Sequence, residues 1–115
     1  MMPSGKNKTA NLFGLKEDDL TAIISILKQQ PKVEEALIFG SRAKGNYKPG
    51  SDVDIALKGT SLDFKTTSNI SYLLNEETQM PYKFDVLDYH AISDKEVIEH
   101  IDRVGISFFK KGNQS

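Results

Sequence analysis

Asp52 and Asp54 stand one residue apart, and a Gly40-Ser41 pair precedes them with ten residues between. Residues of these types at this spacing suit chemistry on a phosphate. Two carboxylates on one face repel, so one of them would hold a proton at neutral pH unless a divalent cation lets both ionise. Magnesium fits that role, because it takes oxygen ligands and commonly binds through one or two carboxylates plus substrate phosphates. Gly40 lets a ligand approach the backbone, Ser41 offers a hydroxyl and an amide, and a helix beginning there would aim free N–H groups at an anion. Gly40 and Gly45 also have the glycine spacing of a P-loop, but Asn46 and Tyr47 follow where that motif needs Lys and then Ser or Thr, so that reading fails.

The flanking residues must present these groups. Ala36-Leu37-Ile38-Phe39 is a short apolar run that stops at Gly40, and Val53, Ile55 and Leu57 alternate with Asp52, Asp54 and Ala56. Both segments read as strands, with Asp52 and Asp54 projecting from one face and the branched residues from the other. Residues 16–30 carry Leu20, Ile23, Ile24 and Leu27 at helical spacing, with Pro31 beyond the end. A short helix is expected from Ser41 to Gly45, with residues 46–50 as loop and the second strand over residues 53–58. A third helix is expected over residues 62–77, with Phe64, Ile70, Leu73 and Leu74 inward and Asp63 at its start, although Thr66, Thr67, Ser68 and Asn69 are weak helix formers. A third strand follows over residues 83–87. The last helix runs from Ser93, as its cap, to Val104, and residues 106–109 form a short terminal strand. The fold class implied is α/β: a small mixed sheet of three to four strands with helices on one face, the other face carrying the carboxylates.

The run Gly40-Ser41-Arg42-Ala43-Lys44-Gly45, continuing through Ser51-Asp52-Val53-Asp54, resembles the signature of the minimal nucleotidyltransferases (MNT) of the DNA polymerase beta-like superfamily. The likeness is strongest over residues 36–57 and extends more loosely over residues 15–111. It implies a polymerase beta palm-like fold. It also implies a third carboxylate on a later strand, for which Asp85 matches the family position, while Asp88 would face the opposite side of a regular strand. The metal ligands and catalytic residues implied are therefore Asp52, Asp54 and Asp85, with two Mg2+ ions and ATP as the nucleotide. Gly40, Ser41, Arg42 and Lys44 are the nucleotide-binding candidates, Arg42 and Lys44 following the turn closely enough to reach phosphate oxygens. Many relatives carry arginine at both positions, so Lys44 is a departure. A two-metal mechanism needs no histidine base, and His90 and His100 read as a loop residue and a partly exposed helix residue.

Composition narrows the substrate. The 115 residues suit one domain, expected over residues 15–111 between a polar tail at 1–14 and a frayed end at 112–115. Lysine and arginine number 15 against 16 acidic residues, for a net charge of −1, which disfavours strong nonspecific nucleic-acid binding and a nucleic-acid end modifier. Without cysteine there is no thiol or zinc-thiolate chemistry, and without an apolar opening segment the expected location is the cytoplasm. Nothing in the chain resembles an acceptor-binding domain. The resemblance implies a helical partner of the HEPN or nucleotidyltransferase substrate-binding type, no membrane, and an antitoxin that moves AMP from ATP onto a tyrosine of a toxin. The alternatives are a contact-only, weakly catalytic nucleotide-binding antitoxin and a transferase acting on a small molecule such as an aminoglycoside.

Overall fold

The computed structural model describes residues 13–112. The elements follow in the order α1 (Glu17–Lys28), β1 (Glu35–Phe39), α2 (Gly40–Lys44), β2 (Val53–Lys58), α3 (Phe64–Glu76), β3 (Phe84–Asp88), a 3-10 turn (Tyr89–Ala91), α4 (Lys95–Val104) and β4 (Ile106–Lys110). They form one four-stranded sheet in the order β3-β2-β1-β4. β1 is antiparallel to both β2 and β4, whereas β2 and β3, joined through α3, run parallel, as a helical crossover requires.

Alternation along the strands separates two faces. Ala36, Ile38, Val53, Ile55, Leu57 and Phe84 form one core with Ile23 and Leu27 of α1 and Ile70 and Leu74 of α3. Phe39, Ala56 and Ile101 form a second, smaller cluster, extended by Leu87, Val97 and Val104. The expectation of helices on a single face therefore holds for α1 and α3 and is corrected for α4, which lies across the other. The charged heads of the amphipathic α4 obscure this in the sequence, since only Ile101 is fully buried there.

Most of the expected tail, residues 1–12, and residues 113–115 of the expected frayed end lie outside the described residues. Phe13, inside that expected tail, is buried in the first core and meets Phe108 edge-to-face at 6.4 Å. Two other local expectations change. Phe64, expected inward, is 84% exposed. As the first residue of α3 its side chain leans toward the N-terminus and overhangs the sheet, lining a groove with Ser71, Val86 and Ile92. Asp94, not Ser93, caps α4, its carboxylate accepting a bond from Glu96 N. Asp63 caps α3, accepting from Thr66 N at 2.9 Å, which offsets the weak helix formers that follow.

β3 lies at the sheet edge, and Asn75 of α3 stands in for a missing strand: its Oδ1 accepts from Phe84 N at 2.8 Å and its Nδ2 donates to Phe84 O at 3.0 Å. Asn75→Ala would strand both backbone groups of a buried residue. We expect a loss of about 1–3 kcal/mol in urea unfolding, whereas a loss below about 0.5 kcal/mol would mean that water replaces the amide without cost.

Candidate active site

The sheet register builds the site. Cross-strand pairing sets Phe39 opposite Asp54 on one side and Asp85 opposite Asp54 on the other, so Asp54 stands between the Gly-Ser turn and the third carboxylate. Asp52 lies just before β2 and is exposed. Asp88 falls on the opposite face and accepts from His90 N, closing the turn after β3.

Gly40 shows why this position excludes a side chain. Its φ is +74°, and a β-carbon there would collide with Asp54 Oδ2. The Asp54 carboxylate thus rests on the bare backbone where β1 becomes α2. Gly45, at φ +89°, ends α2 in the left-handed conformation, its N–H donating to Ser41 O at 2.9 Å. The loop from there to Asp52 is drawn tight around Pro49-Gly50: Ser51 N donates to Lys48 O at 2.9 Å and Lys48 N to Ser51 Oγ at 2.8 Å.

Electrostatics single out Asp54. Burial pushes its carboxyl up to about 6, helped by the charges of Asp85 and then Asp52, with Arg42 pulling the other way. Among the described residues no three His, Cys, Asp or Glu side chains already close into a ligand cage for a metal ion. Asp52 and Asp85 stand close enough to Asp54 for their charges to raise its carboxyl. That donor set, all carboxylate oxygen with a raised acid at its centre, fits a hard divalent cation.

The expected phosphate-binding residues divide. Gly40 and Ser41 open α2 beside Asp54, and Lys44 is exposed at its end. Arg42 is a correction: only 1% exposed, it points inward and bonds main-chain oxygens instead of standing open to a phosphate. Its position directly after the Gly-Ser turn suggested an open guanidinium, but a helical residue one step on faces a different side. His90 lies at the far end of β2, in a groove with Lys58 and Lys110. His100 packs edge-to-face on Phe39 at 6.1 Å. No motif marks Tyr47 and Tyr82, whose rings lie against Arg42, or Asn75, which bonds Phe84 next to Asp85.

Such a fold, with paired carboxylates after a Gly-Ser turn, defines a nucleotidyltransferase. The family described as "Polymerase beta, Nucleotidyltransferase" matches residues 21–114, and this chain belongs to it. It is 30% identical over 90 residues to the probable protein adenylyltransferase MntA of Haemophilus influenzae, covering 76% of this chain and 78% of that protein. Its fold is similar to the crystal structure of a toxin-antitoxin with AMP-PNP (TM-score 0.67, 21% identity, 83% of this chain and 76% of that one). It is also similar to a structure of the tri-AMPylated Shewanella oneidensis HEPN toxin in complex with MNT antitoxin (TM-score 0.63, 18% identity, 85% of this chain and 75% of that one). No helix among the described residues is long and apolar enough to cross a membrane.

Proposed function

We propose that this nucleotidyltransferase moves AMP from ATP onto a tyrosine hydroxyl of an HEPN-type partner protein, in the cytoplasm, as the antitoxin of a toxin-antitoxin pair. The observation that carries the reading is the placement of Asp54 between Gly40 and Asp85, where β1 ends and β2 begins. The likeness to a probable protein adenylyltransferase supports protein as the acceptor class, and the likeness to HEPN complexes supports the partner.

Asp52 and Asp54 would hold one Mg2+, and with Asp85 a second. Bound magnesium would neutralise charge on the triphosphate and acidify the acceptor hydroxyl. The chain's own groups do the rest. Gly40 leaves room for the Asp54 carboxylate against the backbone, Ser41 offers its hydroxyl and amide to phosphate oxygens, and Lys44 supplies a nearby cation. Asp85 is exposed on the edge strand β3.

Intact-mass spectrometry of the HEPN-type partner, incubated with this protein, ATP and magnesium, tests the reading. A gain of one or more AMP units is expected, mapping to tyrosine. A stable complex with no mass gain would replace the reading with a contact-only antitoxin.

A further inference from the structure

A guanidinium held away from water must find partners for its charge and N–H groups inside the protein. Arg42 does so by gripping two distant pieces of main chain. Its Nε and Nη2 fork onto Ser51 O at 3.2 and 2.8 Å, and Nη1 donates to Phe13 O at 2.9 Å and Gly14 O at 3.3 Å. The rings of Tyr47 and Tyr82 lie against the guanidinium, their centroids 5.2 and 5.1 Å from Cζ. The Tyr82 hydroxyl is itself anchored, donating to Asp19 Oδ2 of α1 at 2.9 Å.

The grip on Ser51 bears on the site because a peptide unit is planar. The plane that contains Ser51 O also contains the amide nitrogen and Cα of Asp52. Holding that oxygen from two nitrogens restrains the movement of the plane, and with it the point from which the Asp52 carboxylate leaves the chain. Tyr47, on the same loop, is held against the other side of the cation. A lysine could neither fork onto one carbonyl nor reach Phe13 and Gly14 from the same head group.

We propose that Arg42 is a positioning residue for the metal-holding face: by clamping the Ser51–Asp52 peptide to the segment Phe13–Gly14 it sets where Asp52 stands and couples the loop of residues 45–52 to the chain ahead of α1. The inference rests on the reading of Asp52 as a metal ligand. It assigns Arg42 no contact with nucleotide.

Two variants test it from opposite ends of the clamp. Arg42→Lys removes the fork. Gly14→Ala keeps the arginine itself but sets a β-carbon, at φ +72°, against the Tyr47 ring and 2.8 Å from Arg42 Nη1, so that the clamp must shift. Amide hydrogen exchange and Mn2+ binding followed by electron paramagnetic resonance, both without nucleotide, are the readouts. We expect exchange in residues 46–52 to quicken about tenfold while β1 and β2 stay within about twofold. The Mn2+ dissociation constant should rise about fivefold or more, since ligand-orienting residues commonly contribute about 10–100-fold to metal affinity. Unchanged loop exchange and Mn2+ affinity, or protection lost evenly across the sheet, would overturn the proposal. If the wild-type protein binds no Mn2+, the metal reading of the site fails together with the placement of Asp52 as a ligand. If it binds Mn2+ but transfers no AMP, only the proposed function fails and the clamp stands or falls by these readouts.

Discussion

Alanine in place of Gly40 is expected to lower nucleotidyl transfer by about a hundredfold to a thousandfold, an effect larger than its cost to the fold. The left-handed backbone, φ +74°, penalises any β-carbon by about 1–2 kcal/mol. That strain alone would lower the melting temperature by several degrees in a domain of this size. The larger effect comes from the collision with Asp54 Oδ2, which leaves the carboxylate no place in its present rotamer. Moving a reacting constellation by about 1 Å costs about a hundredfold in rate. Single-turnover AMP transfer measured beside thermal melting separates the two contributions. An alanine protein that keeps more than about a tenth of wild-type activity would show that the close seat of Asp54 is unimportant.

Asp54→Asn carries the second large effect, with opposite signs for activity and stability. Activity should fall by about three orders of magnitude or more, because an amide is a poor ligand for a hard cation and cannot neutralise it. Metal-free stability should rise. With its folded pKa raised from 3.8 to about 6, Asp54 favours the native state when protonated. That contribution is fully present below the unfolded value and is lost as pH climbs through about 6. At pH 7 the ionised group is therefore a burden that asparagine removes, worth about 1–2 kcal/mol after allowing for solvent screening at this half-exposed position. In chelator-treated protein the variant should melt higher than wild type at pH 7, and the gain should shrink as the pH is taken down toward 4. An equal or lower melting point at pH 7 would contradict the electrostatic account of the site.

What the sequence discloses here follows from how local each signal is. The strand over residues 53–58 was legible to the residue, because strict alternation and a loop before it leave no competing period. That Asp85 and Asp88 face opposite sides was legible as a matter of parity, the choice of Asp85 came from the family resemblance, and the parallel register pairs Asp85 with Asp54. The side of the sheet that α4 covers was not, since its apolar stripe is short and nothing in a helix names the strand it will meet. Arg42 was misread for a related reason. Charge beside a phosphate-binding turn suggests an open cation, whereas the partners that draw it inward, Phe13 and Ser51, are backbone oxygens whose approach no residue type announces. Asn75 is hidden in the same way: its task is defined by an edge that exists only once the sheet is assembled.

The second cluster beneath α4 gives β2 a waterline. Along one face of that strand Asp52 is wet, Asp54 sits at the margin, and Ala56 is wholly dry against Phe39 and Ile101. Each step of two residues moves about 6.6 Å along the strand, so the transition from solvent to apolar floor takes place within the Asp-x-Asp unit itself. The two acids are chemically alike and thermodynamically distinct, one held in the solvent and the other at the shore. Sliding the pair two places further would bury one carboxylate against that apolar floor, and sliding it back would lift both clear of the burial that raises the pKa of Asp54. The motif is thereby pinned to a depth as well as to a face.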